Sequence, residues 1–251
     1  MVWSYSRIAS FEDCPYKWFM TYLYRDTHGK PLQRESGFFA EYGRYVHLIL
    51  QMYLSGILRH VDLPGFYVTH FRDNVRAKAP TPKIYHNYFE QGFHYFDTIS
   101  LPKRKILGVE QHIDFTFAGK PFTGFLDVVS DDGRLIITDH KSRTLKPRSK
   151  RAKPTKGDME LDAYLRQLYV YAAAVKKEYG RFPDILEFNC FRSQTIIQQS
   201  FDINRFHAVE QWAEDQISHI TNNRSWTAKP EYWRCNYLCD LCRECEYRML
   251  V

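Results

Sequence analysis

The stretch "FAEYGRYVHLILQMYL" places Tyr42, Val46, Ile49 and Tyr53 at helical spacing. That recurrence is expected of a helix with one buried side. Among its polar residues stands His47. Prolines 64, 80 and 82 divide the following chain into shorter pieces around "PGFYVTHFRDN", so the first hundred residues read as mostly helical. From Lys105 the pattern changes. "KILGVEQHIDFTF", "KPFTGFLDVVS" and "RLIITDHKS" are rich in β-branched and aromatic residues, and "DDG" offers a tight turn between the last two, which predicts three consecutive antiparallel strands.

The helix period then returns in "GDMELDAYLRQLYVYAAAVKKEYG", where Asp158 is the expected cap at the start and Gly180 at the end. Two more strands, "DILEFNCF" and "TIIQQSF", precede an amphipathic helix through Phe206, Val209, Ala213, Ile217 and Ile220. This order predicts an α/β core with a mixed sheet. A helical N-terminal part (1–104), a core (105–222) and a cysteine-rich tail (223–251) follow from it.

With 251 residues, 44% of them hydrophobic, the chain is long enough to bury one good core, and a single domain with attachments is expected. The net charge of +6, from 35 basic and 29 acidic residues, suits a polyanionic partner without demanding one. No apolar run approaches the roughly 18 residues that span a membrane, and "MVWSYSRIASFEDC" lacks a signal-peptide core. A cytosolic setting is the expectation. In that reducing environment six cysteines, four of them in "CNYLCDLCRECEY", favour metal binding over disulfides.

The segment "TDHKSRT" ends a hydrophobic strand with Asp139, His140 and Lys141. Hard cations such as magnesium or manganese need converging carboxylates. Asp127 is expected to end one arm of a hairpin and Asp139 the other, which would bring two such groups together, and strand alternation turns Lys141 to the side of Asp139. His140 would point away, leaving its backbone carbonyl as a possible ligand. Two carboxylates could then hold a cation while the ammonium orients water or stabilises charge on a phosphate. A partly buried salt bridge would use the same three residues.

Taken in order, "GFLDVV", "ITDHKS" and "RQLYVYA" resemble the motif set of the RecB-type branch of the PD-(D/E)XK nuclease superfamily. The resemblance implies a restriction-endonuclease-like mixed β-sheet flanked by helices, with Asp127 and Asp139 as magnesium or manganese ligands and Lys141 as the catalytic lysine. It implies that Gln167 and Tyr171 form the branch's Gln-x-x-x-Tyr motif, which binds DNA near the active site. His47 in "GRYVH" matches the upstream histidine of the branch, a further metal ligand. Glu110 lies on the strand before Asp127, where many members place an extra acid; a surface glutamate would fit the sequence equally.

"YSRIASFEDCPYKWFMTYL" resembles the opening of those RecB-type nucleases that carry an iron–sulfur cluster. There, one early and three late cysteines close a four-thiolate site. The resemblance implies Cys14 with Cys235, Cys239 and Cys245 around a [4Fe–4S] cluster. This choice keeps the family's gap of five before the last cysteine, with Cys242 as the alternative ligand. The late spacings of three, two and two depart from the family pattern, and zinc held by the four late cysteines is the rival, leaving Cys14 idle. Cys190 reads as a buried apolar residue.

Between Lys141 and Lys156, eight of sixteen residues are basic and none is acidic. With prolines at 147 and 154 the segment is expected to be a mobile loop, and Arg143, Lys146, Arg148, Lys150 and Arg151 are its candidate phosphate contacts. The expected activity is a metal-dependent DNA nuclease, of the exonuclease kind, in recombination, repair or CRISPR adaptation. A catalytically silent DNA-binding adaptor is the alternative. No Gly-x-x-x-x-Gly-Lys-[Ser/Thr] loop occurs in the sequence, so no helicase motor is expected; besides DNA, the reading is a stand-alone nuclease or one that works with a helicase, recombinase or CRISPR-adaptation partner.

Overall fold

Two short helices open the chain. The Ser4 hydroxyl accepts from the Arg7 amide to cap α1 (Tyr5–Asp13), and the Cys14 sulfur does the same for α2 (Pro15–Tyr22). In α3 (Phe38–Leu54) the periodic residues Tyr42, Val46 and Ile49 are buried, whereas Tyr53 is half-buried. Pro64 sits in the first turn of α4 (Leu63–Asn74) and Pro82 in that of α5 (Pro82–Thr98). At that position a missing amide hydrogen costs nothing. The prolines thus start helices as well as dividing them. The structure is a computed structural model that describes residues 1–248; the last three residues of the tail lie outside it.

The sheet follows as β1 (Lys105–Phe117), β2 (Lys120–Asp131) and β3 (Leu135–Lys141), then β4 (Ile185–Cys190) and β5 (Thr195–Ser200). The strands lie side by side in chain order. Every neighbouring pair is antiparallel except β3 and β4, which are parallel across the connection made by α6 (Lys156–Tyr179). A parallel step needs a crossover of this kind. α7 (Ile203–Asn222) buries Phe206, Val209, Ala213, Ile217 and Ile220, the face read from the sequence. The class is α/β with a mixed sheet flanked by helices.

Three sequence expectations change. Asp158 does not cap α6: Thr155 does, and Asp158 occupies the third helical position, its carboxylate accepting in return from the Thr155 amide. The acid was the more visible signal, but the reciprocal pair needs a hydroxyl residue three positions earlier. Gly180 does end the helix, at φ +77°, where a Cβ would be strained.

Second, Asp127 does not end its strand. β2 pairs with β1 along its whole length, and only the ladder to β3 stops, at Val128 opposite Thr138. Beyond that point the Asp127 carboxylate, rather than β2 backbone, accepts from the His140 amide at 2.7 Å.

Third, the buried apolar residues form two clusters in place of one. The larger joins α1, α2, α6 and α7 to the sheet, through residues such as Trp18, Leu168 and Phe188. A smaller, aromatic-rich cluster of α3, α4 and α5 holds Tyr42, Tyr67 and Phe71 and receives Phe191 from the end of β4. A five-stranded sheet offers more apolar surface than one helical layer covers. Among the described residues no helix is long and apolar enough to cross a membrane.

The tail folds back on the chain's beginning. Lys229 Nζ donates to the Glu12 carbonyl, Arg234 to the Asp13 carbonyl, and the Glu35 amide to the Asp240 carbonyl.

Candidate metal centre

Strand register assembles the acidic residues. On β1 and β2, Val109 pairs with Val128 and Gln111 with Leu126, so Glu110 and Asp127 are opposed between them. Glu110 has φ +47°. A left-handed conformation in a glutamate costs on the order of 1 kcal/mol or more and persists where the surroundings fix it. His47, on α3, closes the group. Its Nδ1 lies 3.5 Å from Glu110 Oε1 and 3.6 Å from Asp127 Oδ2. One ligand atom each from His47, Glu110 and Asp127 lies within 4.8 Å of the others.

The histidine is oriented from behind. His47 Nε2 donates to the His140 carbonyl at 3.0 Å, which leaves Nδ1 aimed at the two carboxylates. A backbone carbonyl that fixes the second ring nitrogen is a common support for a ligating imidazole. The carbonyl expected as a ligand therefore contacts His47 here. The His140 ring itself is buried, with Nδ1 3.1 Å from the Asn189 amide, whose nitrogen also donates to the Tyr95 hydroxyl. Burial, together with His47 and Lys141, holds its pKa well below the usual value and the ring neutral.

Asp139 stands beside this trio. Its Oδ2 is 2.7 Å from Lys141 Nζ, which also donates to Gln167 Oε1 at 2.8 Å. Burial works against the lysine ammonium, but Asp139 and then Asp127 raise its pKa overall. Burial and the neighbouring Asp139 charge push Asp127 up to about 7 against the pull of His47 and the His140 amide. Burial depresses His47, yet Glu110, Asp127 and Asp139 more than offset it and hold the imidazole up to about 9. With His47 neutral, three carboxylates would face one ammonium. The unbalanced negative charge and the oxygen-and-nitrogen donor set fit a hard divalent cation.

Gln167 and Tyr171 are neighbours on α6. Burial raises the Tyr171 pKa, a hydrogen bond with Gln167 opposes this, and Asp139 and Asp127 add to the rise. The phenol thus faces the acidic group. Its ring lies over Gly124 so closely that a Cβ there would meet Tyr171 Cε1 at 2.7 Å. Sequence reasoning passed over Gly124 and Tyr164, although Tyr164 precedes Gln167 by one helical turn. The Tyr164 ring lies 5.7 Å from Lys141 Nζ and 5.9 Å from the Arg143 guanidinium.

The family model for the PD-(D/E)XK nuclease superfamily matches residues 2–250. The chain belongs to that superfamily. Among solved structures, that of a "putative exonuclease" from Eubacterium rectale matches with 15% identity and a TM-score of 0.50, covering 100% of this chain and 89% of the other. This likeness bears on the fold. The structure of SSO0001 matches at 17% identity and a TM-score of 0.31, covering 82% of this chain and 97% of the other. No curated protein matches the sequence.

The basic segment of this superfamily member is tied down, contrary to the mobile loop expected. Leu145 is buried in the larger cluster. The Asp158 carboxylate accepts from the Ser149 amide and hydroxyl at 2.7 and 2.6 Å. Arg143 pairs with Glu160 and Arg148 with Asp162. These acids lie on α6, outside the window whose charge was counted, so a local count could not reveal them. Lys146, Lys150 and Arg151 are exposed and, among the described residues, have no carboxylate partner.

Cys14, Cys235, Cys239 and Cys245 line one cavity of about 380 Å³, with Lys17, Lys229 and Arg234 around them. Cys14 Sγ accepts from the Lys17 and Lys229 amides, and Cys235 Sγ from that of Glu231. Cys239 and Cys245 accept from the amides of Leu241 and Tyr247, though burial still pushes both thiols up. Cys242 faces a neighbouring cleft instead, and Cys190 is buried.

Proposed function

We propose that this superfamily member is a divalent-metal-dependent DNA nuclease of the RecB-type branch, trimming strands from an end. The convergence of His47, Glu110 and Asp127 beside the Asp139–Lys141 pair supports this reading. His47, Glu110, Asp127 and Asp139 would hold the cation. When bound, magnesium or manganese activates water and offsets the charge that develops on a phosphate.

The protein's own residues do the remainder. Lys141, held by Asp139 and Gln167, presents an ammonium beside the cation site, where it would meet a phosphate oxygen. Tyr171, Gln167 and the exposed Lys146, Lys150 and Arg151 would hold the strand by its backbone. Cys14, Cys235, Cys239 and Cys245 would bind a [4Fe–4S] cluster that fastens the tail to α1 and α2. Zinc at about 2.3 Å from each sulfur would draw the thiols within about 4 Å of one another. Among the described residues no three cysteine sulfurs lie within 4.8 Å, which favours the wider, polynuclear group. Cluster and thiols fit a reducing cytosol, and a helicase, recombinase or CRISPR-adaptation protein would supply the substrate end.

The test is cleavage of labelled single- and double-stranded DNA, with free or blocked ends, in manganese or in chelator. Expected is manganese-dependent loss of free-ended DNA that Lys141→Ala slows about 10²- to 10³-fold. Cutting of end-blocked DNA would make the enzyme an endonuclease, and no cutting alongside retained DNA binding would make the protein an adaptor.

A further inference from the structure

A second basic surface lies outside the loop that the sequence singled out. The N-terminal end of α3, the residues just before it, the segment after α4 and the tail together enclose an open cleft of about 1130 Å³. Seven cationic side chains line it against three carboxylates. The carboxylates are already engaged. Glu35 pairs with Arg243, Asp240 with Lys17 and Arg34, and Glu41 accepts from the Arg76 and Ala77 amides. Arg44, Arg76 and Lys78 are exposed and, among the described residues, have no carboxylate within ion-pair reach. The positive charge therefore faces the open cleft.

Two aromatic rings line the cleft, and others continue from them beyond its lining. Phe39 and Tyr237 line the cleft. Trp233, 41% exposed, lies 4.6 Å from Tyr237 and 6.2 Å from Phe39, ring centre to ring centre. Beyond Phe39 the series continues to Tyr88 at 5.2 Å, over which Arg192 sits at 3.5 Å. A row of aromatic faces along a positive groove fits a polymer with both a π-face and a phosphate in every unit. Single-stranded nucleic acid has that chemistry, whereas a duplex hides its base faces. An acidic peptide would use the charges and leave the rings without a partner.

The cleft also lies near the metal centre. Arg44 precedes His47 by three residues on α3, a rise of about 4.5 Å. Lys17, Leu238 and Cys239 line both the cleft and the cysteine cavity, which reaches Arg143 and Tyr164 next to Lys141.

We infer that this cleft is the track for a single nucleic-acid strand, with Arg44, Arg76 and Lys78 on its phosphates and Trp233 and Tyr237 stacking on its bases. The inference rests on the nuclease reading for what happens at the strand's end. Its test does not need cleavage. Binding of a fluorescein-labelled single-stranded oligonucleotide and of a blunt duplex is measured by anisotropy in chelator, over a range of salt concentrations. The proteins are the wild type, Arg76→Ala with Lys78→Ala, Trp233→Ala, and Lys83→Ala as an exposed control outside the cleft.

The charge variant should bind the single strand more weakly and flatten its logarithmic salt dependence by about 1.4, since each of the two phosphate contacts removed contributes roughly 0.7 on a single strand. Trp233→Ala should lose about 5- to 150-fold on the single strand, keep the salt dependence, and change duplex binding little. Thermal melting of each variant establishes that it folds. Unchanged affinity and salt slope in both folded variants would overturn the inference. So would equal losses on single strand and duplex, or competition by polyglutamate as effective as by unlabelled oligonucleotide at matched charge. Separately, a wild type that binds but cuts neither DNA nor a chromogenic phosphodiester in manganese would sink the nuclease reading and leave the track standing.

Discussion

The Lys141 ammonium lies 2.7 Å from Asp139 Oδ2 and is shared with Gln167 Oε1 at 2.8 Å. A residue of α6 thus sets where the lysine of β3 points. Removing the ammonium should cost about 10²- to 10³-fold in cleavage rate, the scale for losing one preorganised electrostatic group. Gln167→Ala keeps the charge but frees it on one side. A hydrogen bond to a charged group contributes about 1.5–3 kcal/mol, so cleavage should fall about 10- to 100-fold. Initial rates of the two variants on one labelled substrate check this; Gln167→Ala as damaging as Lys141→Ala would contradict a positioning role.

The contact between Gly124 and the Tyr171 ring yields a second expectation. With only 2.7 Å between a built Cβ and Tyr171 Cε1, Gly124→Ala must push the ring off β2. Overpacking of this kind costs about 1–3 kcal/mol. Tyr171→Leu should lower stability by itself yet relieve the clash, so the double variant should be more stable than the two single losses summed. Denaturant unfolding of all four proteins measures the coupling, and simple additivity would mean that the ring moves aside freely.

What the sequence made legible follows from how local each signal is. The β-branched and aromatic runs of β1, β2 and β3 and the helical period in α3, α6 and α7 depend on near neighbours, and these elements form where the pattern placed them. The chemistry-bearing segments were legible as motifs for the same reason. The pairing of Arg143 with Glu160 and of Arg148 with Asp162 was not legible, because both acids come from α6. The cleft around Arg44, Arg76 and Arg243 joins three distant stretches of chain, and no window along the sequence contains it. Glu110 gave only a weak signal there. Its backbone at φ +47° opposite Asp127 is a product of strand pairing.

Asp158 links acid sensitivity to the basic segment. Its carboxylate accepts from Ser149 and Thr155, first the Ser149 hydroxyl and amide, and these bonds hold its pKa below the usual 3.8. A depressed carboxylate stabilises the fold above its unfolded pKa, and that contribution drains away as pH falls through and below about 4. Asp158→Asn should therefore be less stable than wild type at pH 7, with the gap narrowing towards pH 3. Thr155→Ala removes the N-cap hydroxyl of α6 and should cost about 0.5–2 kcal/mol at neutral pH. Melting temperatures from pH 3 to 7 test both; a gap for Asp158→Asn that does not change with pH would remove the carboxylate from this role.

The cysteines give the last expectation. Cys14, Cys235, Cys239 and Cys245 share one cavity, while Cys242 lines the adjoining cleft. Protein purified without oxygen should be brown, and Cys242→Ser should keep that colour. Cys14→Ser should lose it, and with it the tether between the tail and α2, because a bound metal group adds to folding stability only while its ligands are complete. The measurements are visible absorbance, iron and zinc content and melting temperature. Loss of colour in Cys242→Ser with retention in Cys14→Ser would move the site into the four late cysteines. A colourless wild type with one equivalent of zinc would make the centre mononuclear, and its thiols would then have to close in from the positions they hold around the cavity.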